Sequence, residues 1–150
     1  MSDVKAAGAI CFLQDKKKIF FLLLRSAKTG EWGPPKGHTA DGETEIETAS
    51  REIFEEAGVH RASFIPGFRE ALHYTVEKKG KQMSKETVLF LCRLDSDKVK
   101  ISEEHTEAHF GTLDEIEVLI PHEDLREAFR RAQTFIQTPP KKARGGKASG

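Results

Sequence analysis

The sequence has 150 residues, and its 24 lysines and arginines are balanced by 24 acidic residues. A hydrophobic fraction of 37% and a charged fraction of 32% are typical of a single globular domain that can bury a substantial core. No apolar run approaches the roughly 20 residues that span a bilayer, and the first residues lack the basic and apolar regions of a secretory signal. We therefore predict a cytoplasmic protein with no membrane partner.

The first part of the chain predicts two strands and a loop. Small and β-branched side chains over residues 4–13 indicate a first strand, and a polar turn separates it from a continuously apolar strand over residues 19–24. Because such a strand is buried on both faces, helices should pack on both sides of the sheet. Residues 26–36 form a predicted loop, in which Trp32 should pack against the body of the domain.

A helix is predicted over residues 44–57. Thr44 and Glu47 have the spacing of a capping box, and Gly58 stands where helices commonly end. Apolar residues recur every three or four positions and should form one stripe that faces the core. They are Ile46, Ala49, Ile53 and Ala57.

The same helix carries a strongly acidic face, because four glutamates project into one arc of roughly 100°. They are Glu45, Glu52, Glu55 and Glu56. Arg51 can neutralise part of this charge through Glu47 or Glu55, and the remainder suits Mg²⁺, which takes oxygen ligands and bridges carboxylates to phosphates. Glutamate-rich helix faces are also commonly only solvated, so composition alone leaves both interpretations open.

Three further strands are predicted after this helix. They cover residues 62–68, 70–76 and 86–94, and a charged hairpin or loop connects the last two. Cys11 and Cys92 lie in apolar strand-like runs and have no second cysteine or histidine at metal-ligand spacing. We therefore expect both to be small core residues.

Two helices are predicted near the end of the domain. Residues 113–119 form a short one, and residues 121–136 form an amphipathic one that begins near Pro121. Its inner stripe consists of Leu125, Phe129, Ala132 and Ile136. Residues 137–150 show no apolar pattern, so we predict one domain over residues 1–136 followed by a disordered basic tail. The few charges of this tail make nucleic acid an unexpected partner.

The spacing of residues within the helical region adds a specific resemblance. Gly37, five residues, Glu43, seven residues and then Arg-Glu-Ile-Phe-Glu-Glu-Ala-Gly-Val match every position of the signature of the Nudix hydrolases, so the chain is identified as a member of that family. The resemblance implies an α/β fold, an α/β/α sandwich with a central mixed β-sheet. It also implies hydrolysis of a nucleoside diphosphate linked to another moiety, with Mg²⁺ or alternatively Mn²⁺ held by the signature. Arg51 would orient the carboxylates. The implied metal ligands are Gly37, through its carbonyl, Glu52, Glu55 and Glu56.

A narrower resemblance surrounds this signature. The segments FLLLR, EWG and PPKGH are similar to those of the asymmetrical diadenosine tetraphosphate hydrolases. In that group the lysine before the first signature glycine contacts substrate phosphate, which implies this role for Lys36. A tyrosine that stacks on a nucleobase maps onto Tyr74, and lysines that touch phosphates map onto Lys81 and Lys85. A half-buried strand tyrosine and solvated loop lysines are the ordinary alternatives.

Positions outside the signature bear on catalysis and on the substrate. Residues 102–105 resemble the Ser-x-Glu-His element of the same hydrolases, which implies that Glu104 completes the metal shell or acts as the general base; a merely polar loop is the alternative. His105 is expected to shape this loop. An aromatic wall of the adenine slot maps onto His122, and Glu31 stands where that group often has a histidine. Both departures concern the adenine site rather than the hydrolysis.

These observations predict Mg²⁺-dependent hydrolysis of a dinucleoside polyphosphate, with diadenosine tetraphosphate cleaved to ATP and AMP by a metal-activated water. Glu56 or Glu104 would be the general base, and Glu55 and Arg51 complete the predicted catalytic set. RNA 5′ ends, inositol pyrophosphates and nucleoside triphosphates remain alternative substrates, because one scaffold serves them all. A non-catalytic nucleotide-binding domain is disfavoured, since the signature glutamates are all present. We expect a monomer that acts on a small-molecule nucleotide.

Overall fold

A single sheet organises the chain in the computed structural model, which describes residues 3–138. Its strands are β1 (Asp3–Asp15), β2 (Lys18–Ser26), β3 (Trp32–Gly33), β4 (Lys36–His38), β5 (Ser63–Lys78), β6 (Lys81–Arg93) and β7 (His105–Gly111). The helices are α1 (Glu45–Ala57), α2 (Leu113–Glu117) and α3 (Glu123–Gln137). Each predicted helix is thus confirmed to within a few residues at its ends.

The sheet is mixed, as predicted. Its strand order is β3-β2-β1-β6-β5, and β4 pairs with β1 while β7 pairs with β2. β1 and β6 are parallel, with Ala7 opposite Val88, whereas β1 runs antiparallel to both β2 and β4. The central position of β1 places the short strand β4, which precedes the acidic helix, directly against the core of the sheet.

Helices cover both faces of the sheet, as the continuously apolar second strand predicted. Phe21 and Leu23 of β2 pack in the cluster under α2 and α3, and Leu22 and Leu24 pack in the cluster under α1. All four side chains are at most 1% exposed. Successive side chains of a strand point to opposite faces, so this run of leucines and phenylalanine supplies both cores at once. The α/β/α sandwich with a central mixed sheet is confirmed.

One prediction about the strands after α1 was wrong in detail. Residues 62–68 and 70–76 belong to the one strand β5, whose register with β6 shifts between Phe64 and Arg69. The charged segment that follows was predicted as a hairpin or a loop, and it is a hairpin in which only Lys79 and Gly80 form the turn. Both residues have positive φ, 54° and 75°, which matches the twist of a two-residue hairpin.

The predicted apolar stripe of α1 is correct for three residues and wrong for Ile46. Ala49, Ile53 and Ala57 are fully buried, but Ile46 is 43% exposed. The helix packs against β1 and β4, and its buried face includes polar residues of the signature in place of Ile46. Helical periodicity shows that apolar residues share one side of a helix, but it does not show which side of the helix packs against the rest of the protein.

The remaining core predictions are confirmed. Cys11 and Cys92 are buried, unbridged and directly opposite each other in β1 and β6. A hydrogen bond to Cys92, together with burial, raises the pKa of the Cys11 thiol, so it remains an unreactive core residue. Of the four predicted inner residues of α3, Leu125, Phe129 and Ala132 are buried, and Ile136 is partly buried against the same cluster. No helix in the part of the chain that the structure describes is both long and apolar enough to cross a bilayer. The proposed disordered tail falls, beyond Thr138, outside the described residues.

Candidate active site

The start and end of α1 are fixed by local interactions that were predicted from the sequence. Thr44 accepts a hydrogen bond from the Glu47 N–H, and the Glu47 carboxylate accepts one from the Thr44 N–H. Gly58 ends the helix with a left-handed φ of 69°. Of the two predicted partners of Arg51, Glu55 is the one that it contacts, at 3.1 Å from Nη1, whereas Glu47 caps the helix.

Two signature glutamates, Glu52 and Glu56, lie on the buried side of α1 and form the acidic pair of the site. They are 8% and 6% exposed, respectively. Burial raises the pKa of both carboxyls, that of Glu56 to about 8, and their mutual repulsion adds to the rise for Glu56. Two buried carboxylates in adjacent turns therefore need a nearby positive charge before both can ionise at neutral pH.

Strand β4 brings the backbone of Gly37 and Lys36 against this acidic pair. The Lys36 N–H donates to Glu56 Oε1 at 3.1 Å. A Cβ on Gly37 would lie 2.1 Å from Glu52 Oε2, so only glycine leaves room for that carboxylate. The signature glycine is thus explained by close approach between strand and helix.

Arg51 holds the acidic residues of the signature together. Its Nε and Nη2 donate to the two oxygens of Glu43 at 2.7 and 3.0 Å, and its Nη1 donates to Glu52 at 2.9 Å and Glu55 at 3.1 Å. The hydrogen bonds from Arg51, from a backbone N–H and from the Thr48 hydroxyl lower the pKa of Glu43 to about 2. Glu43 was not predicted as a site residue, although its fixed place in the signature was the available signal.

Residues before and within β7 approach the acidic pair from the other side. The Glu104 carbonyl accepts a hydrogen bond from the Ala27 N–H at 2.8 Å, and the negative charge of Glu104 contributes to the raised pKa of Glu56. His105 Nε2 lies 4.0 Å from Glu56 Oε1. His105 was expected only to shape the loop, so its place beside the acidic pair was missed by the sequence.

The donor set fits a hard divalent cation. Glu52, Glu55 and Glu56 offer carboxylate oxygens, and burial, the main cause of the raised pKa values of Glu52 and Glu56, means that a bound cation would stabilise their ionised forms. Within residues 3–138 no three acidic, histidine or cysteine side chains are already gathered around a common point. Glu55 accepts a hydrogen bond from the same Arg51 Nη1 as Glu52, so it lies close to the acidic pair.

Three lysines lie near one another on the sheet, and one of them, Lys36, contacts Glu56 through its backbone N–H. We call Lys36, Lys78 and Lys85 the lysine cluster, since the positive charges of Lys36 and Lys78 lower the pKa of Lys85, after the larger effect of its burial. All three also lower the pKa of His38, again after burial. Lys81, predicted to bind phosphate, lies opposite Lys78 at the start of β6 and is exposed. This concentration of positive charge suits an anion with several phosphates.

Tyr74 stands next to the lysine cluster. Its ring centroid is 5.9 Å from Lys85 Nζ, its hydroxyl is 3.1 Å from the Thr87 hydroxyl, and the residue is 37% exposed. A cavity of ≈ 480 Å³ opens here, and its lining includes Tyr74, Lys85 and Lys5. An exposed aromatic face beside cations can accept a nucleobase and its phosphates.

The two positions that depart from the diadenosine tetraphosphate hydrolases contact each other. His122, at the start of α3, places Nε2 3.2 Å from Glu31 Oε1. Both side chains are more than half exposed. Trp32 packs against the core under α2 and α3 and stacks edge-on with His109 at 6.2 Å. His122 therefore pairs with the loop before Trp32, and its role in an adenine site stays a prediction.

Comparison with known proteins agrees with this geometry. The NUDIX domain family matches residues 4–133. The rat protein named bis(5′-nucleosyl)-tetraphosphatase [asymmetrical] is 32% identical, and the alignment covers 91% of this chain and 98% of the rat protein. A crystal structure of a C. elegans Ap4A hydrolase binary complex superposes with a TM-score of 0.77 at 31% identity, over 89% of this chain and 98% of that one. The E. coli dihydroneopterin triphosphate pyrophosphohydrolase shares the fold alone, with a TM-score of 0.70 at 16% identity. The chain belongs to the Nudix hydrolase family.

Proposed function

We propose that the protein hydrolyses dinucleoside polyphosphates and cleaves diadenosine tetraphosphate to ATP and AMP. The observation that carries this proposal is the buried acidic pair, Glu52 and Glu56, beside the lysine cluster and the exposed ring of Tyr74. A four-phosphate bridge needs positive charge along its length, and a terminal adenosine needs an aromatic surface. The names of the rat and C. elegans relatives support the same substrate.

Mg²⁺ is the proposed cofactor, and Mn²⁺ is the alternative. Nudix hydrolases use divalent metals, and the all-oxygen donor set favours these two hard ions. Glu52, Glu55, Glu56, Glu104 and the Gly37 carbonyl are the proposed ligands. Such a cation would neutralise phosphate charge and lower the pKa of a bound water.

The chain's own residues supply position and charge. Lys36 and Lys85 would neutralise the phosphates that lie beyond the cation, and Lys81 would contact the distal end of a long polyphosphate. Tyr74 would stack on one adenine and so fix which phosphorus faces the acidic pair. Arg51 keeps Glu52 and Glu55 on the same side of α1 through its paired hydrogen bonds.

The reaction needs one proton acceptor. Water adds to one phosphorus, the bond from that phosphorus to a bridging oxygen breaks, and the water's proton passes to a carboxylate. Glu56 and Glu104 are the candidates. If Glu56 is committed to the cation, Glu104 is left to take the proton, and Glu104→Gln should then lose turnover.

The partners follow from the same site. We propose that the substrate is a free nucleotide and that the protein acts as a cytoplasmic monomer without nucleic acid or membrane partners. His122 is exposed and pairs with Glu31, so it would form a weaker second wall of an adenine site than an aromatic ring. Such a site would discriminate less between adenosine and other groups on the phosphate chain, so triphosphorylated RNA and nucleoside triphosphates should be tested alongside the dinucleotide.

The test is hydrolysis by the purified chain of diadenosine tetraphosphate with Mg²⁺, with products resolved by anion-exchange chromatography over time. Equal initial amounts of ATP and AMP are expected. Two ADP per substrate would contradict the proposed cleavage position. No hydrolysis of diadenosine tetraphosphate, together with rapid hydrolysis of RNA 5′ ends or inositol pyrophosphates, would contradict the proposed substrate. The Glu56→Gln variant, which retains shape but loses a charge, is the matched control for contaminating hydrolases.

A further inference from the structure

His105 lies beside the acidic pair, although the proposed reaction makes no use of it. Its side chain is 12% exposed, and Nε2 is 4.0 Å from Glu56 Oε1. The other ring nitrogen, Nδ1, is buried and has no hydrogen-bond partner among residues 3–138. Nearly all buried polar atoms in folded proteins have a hydrogen-bond partner, so an unpaired one calls for an explanation such as a functional role of the residue.

The backbone carries the His105 ring to this place. His105 is the first residue of β7 and lies opposite Ser26 of β2. Its N–H donates to the Ser102 carbonyl at 3.2 Å, and the preceding carbonyl accepts from Ala27 at 2.8 Å. The imidazole is therefore positioned by the edge of the sheet, independently of the helix that carries Glu56.

The surroundings of the two ring nitrogens differ. A proton on Nδ1 would be a buried donor with no acceptor in the described structure, which costs about 1–3 kcal/mol. A proton on Nε2 would face the Glu56 carboxylate, which is a strong acceptor. The tautomer that carries its proton on Nε2 is therefore the one that can pair with Glu56.

Glu56 Oε1 is the oxygen that this proton meets. The same oxygen already accepts the Lys36 N–H at 3.1 Å. The 4.0 Å separation is ~1 Å longer than a direct hydrogen bond, so Glu56 Oε1 would have to move toward the ring to accept this donor. Two donors on one oxygen would fix the plane of the carboxylate and leave the second oxygen available as a ligand.

We propose that His105 is a positioning residue of the cation site, which donates Nε2–H to Glu56 and orients that carboxylate for a divalent cation. A neutral donor stabilises the ionised carboxylate without adding a positive charge next to the cation, as a lysine or arginine would. The inference rests on the cation site of the proposed function, but it does not depend on which nucleotide is hydrolysed.

The test measures Mn²⁺ binding to the metal-free full chain without substrate, by the electron paramagnetic resonance signal of free Mn²⁺. His105→Leu should bind Mn²⁺ about tenfold more weakly than the wild type, as is typical when a group supporting a ligand is lost. His105→Gln places an amide N–H near the position of Nε2 and should restore binding to within about threefold. His105→Asn places its amide nearer to Nδ1 and should not restore it. Urea unfolding of each metal-free variant separates this effect from loss of the fold.

Four results would overturn the role. Unchanged Mn²⁺ affinity in His105→Leu would show that the donor has no effect, and equal weakening in His105→Leu and His105→Gln would show that the N–H is not the active feature. Strong ¹⁴N coupling in the pulsed spectrum of bound Mn²⁺ would make His105 a direct ligand. If the wild type binds no Mn²⁺, there is no cation site at these residues and His105 has no role in one. If the wild type binds Mn²⁺ but hydrolyses a different substrate, the proposed function is wrong and the role of His105 stands.

Discussion

Replacing Glu56 by glutamine should stabilise the metal-free protein at pH 8 while abolishing its activity. In the folded chain the pKa of Glu56 is raised from 4.5 to about 8, chiefly by burial. Between these values the unfolded chain releases a proton that the folded chain retains, so rising pH lowers the stability of the wild type. Below pH 4.5 the carboxyl is protonated in both states and contributes no such penalty. Glutamine has the same shape, still accepts the Lys36 N–H and does not titrate.

The size of the effect follows from the two pKa values. At about 1.4 kcal/mol per pH unit, the full penalty near pH 8 would be ~4 kcal/mol. Solvent screening and the sharing of one proton with Glu52 reduce it, so we expect Glu56→Gln to gain about 2 kcal/mol at pH 8 and only about 0.4 kcal/mol at pH 5.

Urea unfolding in EDTA at pH 5, 6, 7 and 8 measures this difference, and repetition with Mg²⁺ should stabilise the wild type but not the variant. Hydrolysis of diadenosine tetraphosphate should fall by on the order of 10³-fold or more in Glu56→Gln. A variant that is less stable than the wild type at pH 8, or a stability difference that does not change with pH, would refute the assignment of Glu56 as a buried, strained carboxyl.

Further predictions concern the neighbours of the acidic pair. Gly37→Ala should weaken Mn²⁺ binding and turnover, because the added methyl would lie 2.1 Å from the Glu52 carboxylate; equal binding in titrations of variant and wild type would contradict the close approach. Arg51→Lys keeps the charge but loses the paired hydrogen bonds to Glu43, so kcat should fall on the order of 10²-fold, and an unchanged kcat would remove Arg51 from the site. Tyr74→Ala should raise KM for diadenosine tetraphosphate about tenfold with little change in kcat, whereas Tyr74→Phe should keep the wild-type KM; steady-state kinetics that show the opposite order would refute stacking.

Local interactions explain what could be predicted from the sequence. The capping box at Thr44, the end of α1 at Gly58 and the doubly buried strand β2 depend on residues close in the chain, and each was recovered. The signature also identified the acidic residues, because its spacing is a property of the chain alone. The sequence by itself thus determined the family, the α/β/α sandwich and the elements that carry the acidic side chains.

Tertiary structure decided how those side chains are arranged. The rotation of α1 exposed Ile46 and buried Glu52 and Glu56, because packing against β1 and β4, rather than periodicity, sets which side of a helix faces inward. The pairing of β2 with β7 places His105 beside the acidic pair, although it lies 49 positions after Glu56 in the sequence. Contacts of this kind depend on which residues of two distant strands lie opposite each other. That register is set by pairing across the whole sheet and cannot be read from neighbouring residues in the sequence.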